Sequence, residues 1–406
     1  MSAEKPKRIR IGAIGCGQFM SQQHLQTIAR SEHLALQHLA DVDPVKLQRV
    51  ADRYQPARRS TRWEDVVADP EVEIVVAGVV PSLHPQIARA AIGRGKPIYI
   101  EKPLAPTVEE CQNLQHLADE RGVPVAVGFN RRFAPATALL KRAFQSVASP
   151  VTVFYRIATD DRIRPPDQRW KTADTLLTET VHIFDLLAYL LGSEPVAIVA
   201  HEARPNDDLV LVDYASGSRA AILSSSYGSL AQPKEHLEAI LDCRAVEMDD
   251  FVEVRGYGIA GLPPVTRFAG RPYDGCDNRH VDDFAQRGLP ALLEMRQRYE
   301  AAMRESGVLA DSADPAAWDR ARARLGDPPL PQINYASDKG WGVALENFCL
   351  AVAQGRCPAN ATAADGNRAT ACATAARRSI QSNQTVSLDA RSWSLARRGS
   401  GSPQVC

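Results

Sequence analysis

The chain has 406 residues, with 48 Lys plus Arg balanced by 48 Asp plus Glu, and this excludes the one-signed field that nucleic acid or an anionic membrane surface would demand. That length exceeds one ordinary hydrophobic core, so two domains are expected. No apolar run reaches the ~20 residues of a membrane helix, and the basic opening MSAEKPKRIR runs straight into a strand rather than a secretory signal. The eight cysteines form no C-x-x-C pair and no His-Cys cluster at metal spacing. Free thiols in a cytoplasmic protein, with no metal, follow from that usage.

From residue 9 to about 128, strands expected at 9–14, 34–40, 74–80, 97–100 and 124–127 alternate with helical stretches near 22–30, 44–54, 84–93 and 107–121. Buried β-branched runs between amphipathic helices indicate a parallel, doubly wound sheet. The first strand breaks into Gly15-Cys16-Gly17 and then turns helical through Gln18, Phe19 and Met20. Such a turn suits a dinucleotide: the backbone bends at Gly15, approaches a pyrophosphate at Gly17 and offers helix amides to its charge. Met20 stands where the third glycine of the full fingerprint would be. The second strand ends at Asp41, whose carboxylate can accept the hydroxyls of an adenosine ribose.

After Arg132 the rhythm changes to strand-like segments at 151–157, 196–203, 209–214, 218–228, 236–243 and 251–256, with one strong helix at 177–191. This is an α+β domain on a largely antiparallel, open sheet. Between about 270 and 336 the apolar spacing turns helical, and a hairpin insertion is expected there. Its stripes are apolar on one side only, which suits a cover for a cleft mouth or an oligomer interface rather than part of either core, while its interleaved charges of both signs suit a solvated, ion-pair-laced surface equally well. Helices near 340–354 and 363–381 and a strand at 385–388 complete the second domain. The division is therefore 1–128, 129–390 and a flexible tail, 391–406.

Chemistry-bearing residues fall at the carboxyl ends of strands. Pro81-Ser82-Leu83-His84, Glu101-Lys102-Pro103-Leu104 and Gly128-Phe129-Asn130-Arg131-Arg132-Phe133 each follow one, where open α/β sheets bind ligands. On the 177–191 helix, Glu179, His182 and Asp185 recur every three residues as a polar stripe. An imidazole titrating near ~6.5 can take a proton at neutral pH.

These motifs, in this order, resemble the glucose-fructose oxidoreductase, inositol dehydrogenase and MocA family of NAD(P)-dependent oxidoreductases, over about 8–270 and again over about 337–390. The resemblance implies a Rossmann domain at the N-terminus and hydride transfer between a nicotinamide and a secondary carbinol or ketone of a sugar, sugar derivative or cyclitol. Lys102 then resembles the lysine near the nicotinamide and the reacting carbinol, and His182 the acid or base. Gly15, Cys16, Gly17, Gln18, Phe19, Met20, Asp41, Pro81, His84, Glu101 and Asn130 are expected along the cofactor, with NAD favoured over NADP by Asp41. Arg131, Trp170 and Asp185 are expected on the substrate side, although a post-strand arginine is also a common surface residue and Trp170 is either a sugar-stacking wall or a core edge. The family's glycine pair is Ala173-Asp174 here, and its Asp four residues before the histidine is Thr178. Glu179 either partners His182 or is a helix N-terminal charge. A homodimer or homotetramer suits the open sheet. The competing reading is a non-catalytic nucleotide or sugar sensor of the same fold, which would have no need of a proton-transfer pair.

Overall fold

The computed structural model describes residues 8–148, 150–164, 173–274, 277–325 and 333–393, and these fall into two units. The first comprises residues up to Asn130, Gly340–Ala371 and the stretch from Ala390; the second comprises Arg131–Lys339 and Cys372–Asp389. Among the described residues no helix is long and apolar enough to cross a membrane.

In the first unit, six parallel strands form one sheet: β1 (Ile9–Ile14), β2 (Leu34–Ala40), β3 (Arg58–Ser60), β4 (Ile74–Ala77), β5 (Ile98–Ile100) and β6 (Val125–Val127), in the order β3-β2-β1-β4-β5-β6. Its central strands are buried on both faces because helices cover both, which is why they read as unbroken apolar runs. The order reverses between β1 and β4, and that reversal opens the crevice where such sheets take their ligands. Two departures from the contiguous division are physical. The helix Trp341–Ala353 packs here, with Phe348 edge-on to Tyr99 of β5 at 6.0 Å. The tail begins folded rather than frayed: Trp393 is 3% exposed and its carbonyl accepts from Gln115 Nε2 at 2.9 Å.

The second unit is built on nine strands: β7 (Thr152–Ala158), β8 (Pro195–Arg204), β9 (Asp207–Tyr214), β10 (Arg219–Ser225), β11 (Glu235–Ile240), β12 (Ala245–Asp249), β13 (Glu253–Tyr257), β14 (Val265–Arg267) and β15 (Val386–Ser387). Their order is β14-β13-β12-β11-β7-β10-β9-β8-β15, antiparallel throughout except for β7 with β10. Side chains alternate between faces as the pleat requires. Along β9, Asp208, Val210, Val212 and Tyr214 are buried while Leu209 and Leu211 face outward. Between β12 and β13 the chain reverses through Asp250 and Phe251, both left-handed at φ 46° and 61°.

The insertion folds as the helices Arg279–Arg287, Leu289–Glu305 and Pro315–Leu325. It does not stay outside the unit's core. Leu292, Met295, Tyr299 and Met303 share one apolar cluster with Leu230 and with Val252 of the β12–β13 connection, and Arg296 is buried to 1% exposure with its guanidinium 3.3 Å from Asp250. Of the cysteines, Cys16, Cys111, Cys243 and Cys349 are free thiols, whereas Cys357 is disulfide-bonded, so the all-thiol expectation does not hold for it.

Candidate active site

At the end of β1 the chain turns through Gly15, at φ +106°, where a Cβ would stand 2.4 Å from the carbonyl oxygen of Gly78. Only glycine tolerates both the dihedral and the contact. A Cβ on Gly17 would meet nothing within 4 Å, so the turn offers open backbone at the position expected to face phosphate. Cys16 lies beneath, its thiol pushed up to about 12 by burial and by Asp41. Met20 is buried in a π-helical turn, Met20–His24, that starts the first helix. The close approach a third glycine would permit is transferred to Gly78, whose missing Cβ leaves the room that Met20 Sδ and Cγ occupy. Gln18 is exposed and Phe19 half-buried beside them.

Asp41 follows β2, its carboxylate fixed by two backbone amides: Cys16 N–H donates to Oδ2 at 2.6 Å and Asp43 N–H to Oδ1 at 2.9 Å. Asp43 in turn caps the helix Pro44–Tyr54 by accepting from Val45 and Lys46. The run Asp41-Val42-Asp43-Pro44 thus sets the helix start and presents a pre-oriented carboxylate beside the glycine turn.

The loop after β5 is held from both sides. Glu101, 7% exposed, takes His24 Nε2 at 2.8 Å on one oxygen and the Lys102 N–H at 3.3 Å on the other. His84 is fully buried, with Nδ1 2.7 Å from the Pro103 carbonyl and Nε2 3.2 Å from that of Val79. Burial lowers its pKa against the pull of those carbonyls. His84 therefore braces the lysine loop from within rather than lining a ligand. Lys102 is half-buried between buried neighbours, in a peptide to Pro103 that is cis. Pro81 opens a short 3-10 turn after β4, and Asn130 is buried at the end of the unit's first segment. His24 is the residue here that the sequence reading missed.

In the second unit, the expected helix begins as a π-helical turn, Leu176–Thr180, and continues as the α-helix Val181–Leu191. His182 is 6% exposed in its first turn. Asp185 forms a two-bonded pair with Arg132, at 2.8 and 2.5 Å, and the same guanidinium lies over the Tyr189 ring. Thr178, standing for the family's acid, bonds the Asp174 carbonyl, and Glu179 is ion-paired with Lys234 at 3.0 Å. Arg131, expected at the substrate, spends two nitrogens on Glu235 at 2.7 and 2.8 Å and is 5% exposed. That same carboxylate takes Lys339 Nζ at 2.7 Å and the Tyr155 hydroxyl at 2.7 Å. Lys339 goes on to Asp250 at 2.8 Å. Burial alone would raise the Glu235 pKa, but Arg131 and Lys339 outweigh it and hold the carboxyl well below the usual range. Trp170 lies outside the described residues.

Residues 9–129 match the sequence profile described as oxidoreductase family, NAD-binding Rossmann fold. The inositol 2-dehydrogenase of Acidothermus cellulolyticus is 32% identical over 204 residues, which are 49% of this chain and 58% of that protein. Inositol 2-dehydrogenase 2 of Saccharopolyspora erythraea is 29% identical over 316 residues, 77% of this chain and 88% of that protein. Three of the first curated relatives are spanned over only 58%, 58% and 59% of their length. The fold is shared with the WlbA dehydrogenase of Bordetella pertussis, solved with NADH and UDP-GlcNAcA, at a TM-score of 0.69 and 17% identity over 95% of this chain and 99% of that one. The stretch 9–129 matched by the profile holds the glycine turn, Asp41 and the braced Glu-Lys-Pro loop, and this part of the chain is an NAD-binding Rossmann domain of that oxidoreductase family.

Proposed function

We propose that this protein is a dehydrogenase or reductase acting on CH–OH groups, moving hydride between NAD and a secondary carbinol or ketone of a sugar, a sugar derivative such as a nucleotide sugar, or a cyclitol. The observation that carries this reading is Lys102: a half-buried ammonium on a loop otherwise buried and braced by His84 and Glu101, at the carboxyl end of a strand. A lysine held so firmly is suited to work on a ligand rather than to solvate a surface. The names of the inositol dehydrogenase relatives support the substrate class.

The backbone of Gly15, Cys16, Gly17 and Gln18 would hold the pyrophosphate, with Phe19 and Met20 behind it, and Asp41 the ribose hydroxyls. Pro81, Glu101 and Asn130 would face the nicotinamide half. When bound, NAD supplies the hydride acceptor or donor. During oxidation the C–H electron pair leaves as hydride and the O–H proton must go to the protein. His182 takes that proton, and Lys102 stabilises negative charge on the same oxygen. Glu179 assists His182. Asp185 and Arg131 act from behind, through their pairs with Arg132 and Glu235.

A second copy of the chain is the proposed partner of the open sheet. Its outer face carries Phe154, Leu209 and Leu211, each 37–47% exposed, and pairing sets Leu223 against Leu209 and Ala221 against both Leu211 and Phe154. An exposed apolar patch of this kind suits isologous pairing with a second copy. Light scattering of Leu211→Glu should report a smaller assembly than the wild type.

The deciding experiment incubates purified protein with NAD and a panel of cyclitols, free sugars and nucleotide sugars while absorbance of the reduced nicotinamide is followed. Reduction with at least one of them is expected. Tight NADH binding with no turnover of any class would put the sensor reading in its place.

A further inference from the structure

Lys234 is an ammonium kept out of water. It stands one residue before β11, its N–H donating to Asp250 Oδ2 at 3.2 Å and its carbonyl accepting from Ala158 at 2.9 Å. Its side chain is 9% exposed, and Nζ stops 3.0 Å from Glu179 Oε2. An isolated buried ammonium is costly, so the pair with Glu179 is what lets Lys234 remain charged there. Burial lowers its pKa, Lys339 and Arg131 add to the fall, and Glu179 and Glu235 oppose it.

Three elements place cations within electrostatic reach of Glu179, Lys234 pairing with it directly. Lys234 comes from the start of β11, Arg131 from the turn after β6, and Arg164 from the end of the short helix Asp161–Ile163, where Asp161 pairs with it at 2.5 Å and Tyr335 lies near. On the helix of Glu179 itself, His182 follows three residues later and Asp185 is locked by Arg132.

We propose that Lys234 is a positioning residue for proton transfer at His182, fixing Glu179 in the π turn ahead of the histidine and holding down the proton affinity of the base on that helix. The proposal rests on the dehydrogenase reading above. Its sign follows from electrostatics: a neighbouring cation makes imidazolium harder to form and a carboxylate easier to ionise. Both effects keep the base unprotonated at lower pH, and removing the cation raises both pKa values together.

The test combines two readouts on the full chain. The ring resonances of His182 are titrated by NMR in the free protein, and kcat/KM for NAD reduction is measured against pH with whichever polyol turns over. Lys234→Met should move the His182 titration and the acid limb of the rate profile up by ~1 pH unit, and Lys234→Arg should return both to the wild-type position. Glu179→Gln, which leaves the ammonium without its carboxylate, should move the His182 titration down and decides the matter if Lys234→Met does not fold. A His182 titration indifferent to these changes would overturn the proposal, as would turnover that falls evenly at all pH values with the limb in place. A wild-type protein that oxidises no polyol would overturn the dehydrogenase reading instead, while the NMR titration still judges Lys234.

Discussion

The sulfur of Met20 occupies the space where Gly78 would carry a Cβ, the two centres falling 2.4 Å apart. Two segments that follow different strands, β1 and β4, therefore share one small volume, and the start of the helix after the glycine turn rests on the result.

Gly78→Ala should overpack this spot by ~1–3 kcal/mol, lowering Tm and weakening NADH binding because the turn at Gly15 and Gly17 shifts. Met20→Ala in the same chain should restore both. Calorimetry and fluorescence titration check it; a single Gly78→Ala variant that binds NADH as the wild type does would show that Met20 yields at no cost.

Asp41 sets the expected choice of cofactor. Its oxygens each hold one backbone amide and keep lone pairs for the ribose hydroxyls, where a 2′-phosphate would meet like charge. Wild type should bind NADH more tightly than NADPH, and Asp41→Ala should narrow or erase the difference. Titration with both reduced cofactors measures it.

Lys102 and His182, if they serve one hydroxyl, should behave as a unit. Each single alanine variant should lose turnover on the order of 10²–10⁴-fold, and the double variant little more than the worse single one. NADH affinity should be unchanged in His182→Ala and modestly weaker in Lys102→Ala. Single-turnover hydride transfer separates these; full activity in Lys102→Ala would remove the catalytic assignment.

Asp208 predicts how stability changes with pH. It is fully buried on β9, neither oxygen has a hydrogen-bond donor among the described residues, and burial, with Glu202, Asp174 and Asp207 nearby, pushes its pKa to about 7 despite Arg377. The unfolded chain releases this proton near pH ~3.9, so the folded state binds more protons between those values. Stability from this group is complete below pH ~4 and is lost as pH rises through 7. Asp208→Asn should flatten that decline and stabilise the protein at pH 8 on the order of 1–3 kcal/mol, with little gain at pH 4. Melting curves across that range test the sign.

Legibility in the sequence followed the chemistry of each segment. Strands such as Ile74–Ala77 and Ile98–Ile100 announce themselves because a parallel strand buried on both faces is apolar throughout. Arg58-Arg59-Ser60 could not, being a short, largely exposed edge strand with nothing apolar in it. The helix Trp341–Ala353 was recognisable as a helix, yet its apolar face does not say which sheet it covers. The glycine turn, Asp41 and Lys102 were readable because local backbone chemistry dictates them. Lys234, Glu235, Lys339 and Arg296 were not, since their partners stand 46 to 104 residues away and a charged side chain alone reads as surface. His24 was hidden for the same reason, 77 residues from Glu101.

Arg131 and Lys339 open and close the long segment of the second unit, and both end on the carboxylate of Glu235. The chain thus enters and leaves that segment at one buried knot of charge. Noncovalent ties there do the work of a clasp, closing a loop of some two hundred residues without a disulfide, for an entropy cost that grows only with the logarithm of loop length. Protein engineers gain a natural cut site from it: the segment 131–339 could be moved to another host or circularly permuted with its own ends already gathered, provided Glu235 is left unsubstituted.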